Sequence, residues 1–97
     1  MNAELVRAIH EKRLVELVYN NARRIVEPHD YGMRRGTETL LGYQLGGGSG
    51  SGAAHGWKEL KLPKVAQLRV LDRHFPGSRG DSAQQHRTWE VLFARVT

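Results

Sequence analysis

The sequence predicts a small, mainly β domain in which one short N-terminal helix precedes five or six short strands of a half-open or closed barrel. Three observations support this fold class. The chain has 97 residues, which suits a single domain with a small core. Apolar residues recur at helical spacing over a full short helix near the N-terminus, and the following apolar segments are short, largely alternating and separated by Gly, Pro and Asn.

The helix is predicted over residues 2–12. Asn2 can cap its first turn, and Glu4 lies where the helix dipole favours an anion. The apolar face comprises Leu5, Ala8 and Ile9. Because so short a helix is marginal alone, this face must pack on the sheet.

The first two strands form a predicted hairpin. Leu14–Tyr19 is rich in β-branched and large apolar residues, and Asn20-Asn21 provides a turn because asparagine tolerates the left-handed region. The second strand is predicted over Arg23–Glu27. We expect Pro28 to end it, because proline cannot donate to a strand ladder.

Two further strands flank a glycine-rich stretch. Glu38–Leu45 and Trp57–Leu62 both have the strand pattern, and Pro63 interrupts the second. Between them, Gly46–Gly56 consists mainly of Gly and Ser, which predicts a mobile loop.

The last third of the chain contains two apolar segments around a polar one. Val65–Leu71 is predicted to begin as a helical turn and lead into a fifth strand. Thr88–Val96 is predicted as a strand that is apolar on both faces, so it is partly buried or paired in a dimer. The predicted units are residues 1–75 (helix and barrel), residues 76–86 (polar linker) and residues 87–97 (a strand that completes the barrel or forms a dimer interface).

Composition excludes several classes of protein. Without cysteine the chain has neither disulfides nor Cys-based zinc sites. No apolar run approaches the ~18 residues of a membrane span, and residues 1–10 lack an apolar stretch of signal-peptide length. We therefore expect a cytoplasmic protein with no membrane contact. The net charge of +5, carried mainly by arginine, favours an anionic partner.

No constellation of residues indicates catalysis or a cofactor. The five histidines lack metal-ligand spacing, and the serines lie in apparent loops without a nucleophile elbow. Glu27, Asp30 and Glu38 have arginine neighbours, so we expect a solvated charged rim rather than an acid–base pair. The chain is therefore predicted to be non-enzymatic, with no metal and no cofactor.

Basic residues on strands, interleaved with aromatic residues, are the main functional signal. Arg24 begins the second strand, and Tyr43 and Trp57 flank the glycine-rich stretch. Alternation puts Lys58 on the face of Leu60, where a cation is costly unless paired. Lys58 is thus a candidate ligand-binding residue, although its apolar stem can instead pack while its amine reaches water. Such strands suit single-stranded nucleic acid and equally a nucleotide-like molecule.

Several segments, in order, resemble the WYL domain of bacterial regulators. Ala8-Ile9 followed by Leu14–Tyr19 resembles the family's opening helix and strand, and Arg24–Pro28 resembles its R-x-V-x-P strand. Leu40–Tyr43 resembles the stretch after the tripeptide that names the family. Trp57–Val65 resembles the R-x-F-x-L-D-R-I block. The resemblance extends from Ala8 to Phe75.

The resemblance implies an Sm-like β-barrel with an N-terminal α-helix that senses a ligand in a basic groove, as in transcriptional regulation. The residues it implies for ligand binding are Arg24, Tyr43, Lys58 and Lys64, with His29 as a weaker candidate. The alternative is a protein-interaction module that pairs its C-terminal strand with a partner chain or a second copy, giving a homodimer.

Overall fold

A computed structural model describes residues 1–47, 55–80 and 88–97. The elements, in chain order, are α1 (Ala3–Glu11), β1 (Arg13–Tyr19), β2 (Ala22–Arg34), β3 (Thr37–Gly47), β4 (Gly56–Lys61), a 3-10 turn (Leu62–Lys64), β5 (Val65–His74) and β6 (Val91–Arg95). The strands form one antiparallel sheet in the order β4-β3-β2-β1-β5, and β6 pairs with β2 beside this path. The mainly β class is confirmed. The sheet is not closed, because its edge strands β4 and β5 are not paired with each other in the described residues, and the closed Sm-like barrel stays a prediction.

Helix α1 forms where the sequence places it. The side-chain oxygen of Asn2 accepts a hydrogen bond from the backbone N–H of Leu5 at 3.1 Å, as an N-cap residue does. Lys12 ends the helix in the left-handed conformation with φ 56°. The predicted apolar face is buried against the sheet.

Strand β2 is longer than predicted, and Pro28 does not end it. The strand continues to Arg34 because its pairing with β3 shifts register between Pro28 and Asp30, which leaves His29 in a bulge. A bulge tolerates a residue that has no N–H to donate. The predicted turn before β2 is confirmed, with Asn20 and Asn21 at positive φ.

The two C-terminal strands also differ from their predictions. The 3-10 turn Leu62–Lys64 replaces the expected helical turn, so that Val65–His74 is strand throughout and pairs with β1. The last strand covers Val91–Arg95 rather than Thr88–Val96, and it pairs with residues 30–33 of β2 in the same chain.

The glycine-rich stretch and the polar linker fall partly outside the described residues. Gly46 and Gly47 end β3 and Gly56 begins β4, whereas the mobile loop predicted between them lies at 48–54, outside the described residues. Of the linker, residues 81–86 also lie outside them. Residues 76–80 form no strand, but they are attached to the domain because Ser78 donates its backbone N–H to the Thr97 carbonyl at 3.0 Å.

The core lies between α1 and the sheet. Its fully buried large side chains include Leu5, Ile9, Leu17, Tyr31 and Leu40. No helix in the described part of the chain has the length and apolarity needed to cross a bilayer.

Candidate functional site

The strand register divides the predicted binding residues between the two faces of the sheet. Side chains alternate along each strand, so neighbours in sequence point to opposite faces. Arg24 shares a face of β2 with Val26, which pairs with Gln44 of β3. Lys58 pairs with Gly42, two residues from Gln44 along β3, and therefore lies on the same face. We call this the Arg24 face. Tyr43 lies on the opposite face, here called the Tyr43 face.

Arg24 is a buried cation that forms no ion pair with a carboxylate in the part of the chain that the structure describes. Only 4% of the residue is exposed. Its guanidinium donates to the side-chain oxygen of Gln44 at 3.3 Å and to the Tyr19 carbonyl at 3.2 Å, and it lies 5.3 Å from the centroid of the Tyr19 ring. Its Nε is buried and has no hydrogen-bond partner among the described residues. All these contacts are with neutral groups, so no described carboxylate compensates the positive charge.

Lys58 and Lys64 lie on either side of this cation. Lys58 is half-buried on the Arg24 face. It follows Gly56, the register partner of Gln44, by two residues along β4. Lys64 is exposed at the end of the 3-10 turn, immediately before the residue that pairs with Tyr19. Tyr19 thus connects Arg24, which lies over its ring, with the turn that contains Lys64. Arg24 and Lys58 thus share the Arg24 face, and Lys64 lies in the turn that leads into β5.

The Tyr43 face has a cross-strand row of different chemistry. Glu27, Tyr43 and Trp57 are register partners on β2, β3 and β4. The Tyr43 and Trp57 rings meet edge to face, with centroids 5.5 Å apart. Arg79, from the segment after β5, pairs with Glu27 through two hydrogen bonds at 2.8 and 3.2 Å. The face therefore combines an acid, two aromatic rings and a guanidinium.

His29 is fully buried beside this row. Its ring lies between Trp57 and Phe75, with centroid distances of 4.7 and 5.6 Å. Nδ1 faces the Glu27 carbonyl at 2.9 Å, so Nδ1 donates in the neutral ring, whereas Nε2 has no partner among the described residues. Burial lowers the pKa of His29 below 6.5, and the hydrogen bond to Glu27 only partly offsets it. His29 is thus held neutral.

The five candidates consequently do not form one group. The register puts Arg24 and Lys58 on one face of the sheet and His29 and Tyr43 with the aromatic row, whereas Lys64 lies in the 3-10 turn, outside the strand register. The expected solvated rim is wrong for two of its acids. Glu27 is 5% exposed and Asp30 is fully buried, because arginines distant in sequence cover them.

Three contributing residues were not predicted. Gln44 and Tyr19 hold Arg24, and Arg79 covers Glu27. Strand alternation could have identified Gln44, because it places an amide on an otherwise apolar face next to Leu40. No local pattern links Arg79 to Glu27, which lies 52 residues earlier.

Searches of protein-family models, of curated proteins and of solved structures found no match to this chain.

Proposed function

We propose that the protein is a non-enzymatic regulatory module that binds an anionic ligand on its Arg24 face, either single-stranded nucleic acid or a nucleotide-like molecule. The observation that carries this proposal is the buried guanidinium of Arg24, which within residues 1–47, 55–80 and 88–97 has no carboxylate partner and one unsatisfied N–H. A buried charge without compensation is costly, and an anion that reaches it supplies the missing partner.

The surrounding residues support the same ligand class. Lys58 adds a second cation on the face of Arg24, and Lys64 adds a third beside Tyr19. Arginine binds phosphate through two parallel hydrogen bonds, and lysine adds a point charge. The resemblance to WYL domains points to the same function, with a role in transcriptional regulation and an Sm-like barrel as the framework.

A fluorescence-anisotropy titration tests the proposal. A labelled single-stranded oligonucleotide and a fluorescent nucleotide are each titrated with the full chain at low and high salt. We expect binding at low salt that weakens steeply as salt rises, because phosphate contacts release counterions. Absence of binding to both probes at low salt would contradict the proposal.

The chain offers a matched pair of variants for this titration. Arg24→Met and Arg23→Met remove the same charge from neighbouring positions on opposite faces, and Arg23 is exposed and paired with Glu16. We expect Arg24→Met to weaken binding at least ~10-fold, since a hydrogen bond to a charged group contributes about 1.5–3 kcal/mol. Arg23→Met should change it less than ~3-fold. Equal effects would indicate nonspecific attraction to net charge.

A second candidate function is homodimerisation through β6. Val91 and Leu92 are exposed to 50% and 39%, and within the described residues β6 pairs only with β2. A free strand edge with exposed apolar residues can pair with a second copy. Light scattering should give a dimer for the full chain and a monomer for Val91→Lys. Met1→Lys, at another exposed apolar residue, is the control that should remain dimeric.

A further inference from the structure

The segment after β5 is attached to the Tyr43 face through one arginine. The Glu27 side chain, 6% exposed, accepts two hydrogen bonds from Arg79. The guanidinium carbon of Arg79 also lies 3.6 Å from the centroid of the Tyr43 ring. The guanidinium of Arg79 therefore makes two hydrogen bonds along its edge and a cation–π contact with its planar face.

This arrangement is selective for a planar guanidinium. Two parallel hydrogen bonds to a carboxylate require the fork geometry that arginine has and lysine lacks. The Tyr43 ring adds a cation–π contact, and the Trp57 ring supports the Tyr43 ring edge to face at an interplanar angle of 88°. An ammonium group can neutralise the charge of Glu27, but it cannot make the two parallel hydrogen bonds and stack on the Tyr43 ring at the same time.

The present occupant is held on a part of the chain that belongs to no strand. The Arg79 side chain is 38% exposed although Glu27 is buried. A cavity of about 300 Å³ lies beside the pair, lined by Glu27, Pro76, Gly77, Ser78 and Arg79. The buried carboxylate is thus next to an open space through which a second side chain can approach.

We propose that Glu27, Tyr43 and Trp57 form a guanidinium-binding site that Arg79 fills within the chain, and that an arginine side chain of a partner peptide binds there when Arg79 is displaced. A buried carboxylate left without a cation is strongly unfavourable, so the departure of Arg79 requires a replacement of the same chemistry. The site is on the opposite face from Arg24, and its existence is independent of anion binding.

Arg79 is an intramolecular competitor, and a partner arginine must displace it to bind. A short tether holds a group at an effective concentration on the order of millimolar. An arginine peptide therefore binds the wild-type chain weakly, and the site is measured directly once the internal competitor is removed.

The test uses the full-length Arg79→Ala variant, titrated with methylguanidinium and followed by the NMR signals of Trp57 and Tyr43. We expect saturable binding in the millimolar range or tighter, at least ~10-fold weaker binding to the wild type, and at least ~10-fold weaker binding of methylammonium at equal ionic strength. Adding Glu27→Gln to the Arg79→Ala variant should abolish methylguanidinium binding. Absence of saturable binding, or its persistence in the double variant, would overturn the proposal.

Arg34→Ala is a matched control. It removes an arginine that pairs with Glu59 at 2.9 Å. Arg79 lies over the Tyr43 ring, whereas Arg34 makes no cation–π contact with any aromatic ring among the described residues. This variant should not bind methylguanidinium saturably, and saturable binding there would show that removing an arginine from any ion pair suffices, against the proposal.

A failure of Arg79→Ala to fold is also informative. Refolding by methylguanidinium but not by methylammonium supports the site. If neither ion refolds the variant, the wild type is titrated with a triarginine peptide. Saturable shifts of the Trp57 indole signal then support the site, and their absence overturns it.

Discussion

Arg95 and Asp30 form a two-point ion pair that fastens β6 to β2. The carboxylate of Asp30 is fully buried, and it accepts hydrogen bonds from the Arg95 guanidinium at 3.0 and 3.1 Å. The two residues are also register partners in the β2–β6 ladder. The attachment of the C-terminal strand thus depends on backbone pairing and on the ion pair between the buried Asp30 carboxylate and Arg95.

Arg95→Ala should destabilise the fold by about 2–3 kcal/mol, because it removes the two-point ion pair of the buried Asp30 carboxylate. The value is toward the low end for a buried pair because the Arg95 side chain is 48% exposed. Urea unfolding measures the change. Arg23→Ala, at an exposed pair, should cost less than ~1 kcal/mol. In an Asp30→Asn background the effect of Arg95→Ala should largely disappear, and an undiminished effect would show that the charge of Asp30 is irrelevant.

The burial of His29 predicts that the free energy of unfolding decreases on mild acidification. Burial lowers the pKa of the folded-state ring below 6.5, so the unfolded chain binds a proton more readily. The free energy of unfolding should therefore decrease as pH falls through about 6.5 and continue to decrease until the folded-state ring itself protonates. Urea unfolding between pH 7.5 and 5 tests this (values chosen to bracket the ordinary histidine pKa of about 6.5).

His29→Gln should flatten that pH dependence, although the variant loses ring packing and is less stable overall. His10→Gln, which changes an exposed histidine on α1, is the control and should retain the wild-type slope. A wild-type slope in His29→Gln would assign the pH dependence to other groups.

Much of the architecture could be predicted because its signals are local. The cap at Asn2 and the alternation in β1 need only neighbouring residues. Pro28 misled because its missing N–H is accommodated by a bulge that exists only when β3 pairs with β2. The prediction that Glu27 is exposed is wrong for a related reason. Its partner Arg79 is distant in sequence, and an ion pair of this kind has no periodicity to detect.

The same limit explains the division of the candidate site. Alternation along a strand predicts which residues share a face, and it correctly put Lys58 with Leu60, which is 2% exposed in the core. It does not relate faces between strands until the register is known. Tyr43 and Arg24 were therefore grouped by resemblance, although the register puts them on opposite sides.

Tyr31 should ionise only at strongly alkaline pH. Burial raises its pKa to about 12, and its hydroxyl also donates a hydrogen bond to the Glu38 carboxylate. Because the folded-state pKa lies above the unfolded value of about 10, stability should be lost as pH rises from about 10 to 12. Ultraviolet titration of the three tyrosines should show one late phase, which Tyr31→Phe removes. A late phase that survives in Tyr31→Phe would assign it to another tyrosine.

Gly32→Ala should detach β6 from β2. A Cβ at Gly32 would lie 2.1 Å from the Val91 carbonyl oxygen and 3.0 Å from the Leu92 Cα, and both are backbone atoms that cannot rotate away. The strand must therefore shift, at a cost of about 1–3 kcal/mol or more. Hydrogen exchange should accelerate most at the Val96 N–H, which donates to the His29 carbonyl at 2.8 Å in the wild type.

Gly46→Ala is the matched control for this loss. Nothing lies within 4 Å of the added Cβ, and Gly46 is not among the glycines with positive φ. The substitution should therefore change the free energy of unfolding by less than ~1 kcal/mol, because alanine fits the existing backbone. If Gly32→Ala leaves both stability and the exchange of Val96 unchanged, β6 does not dock against Gly32, and the buried pairing of Arg95 with Asp30 would need another geometry.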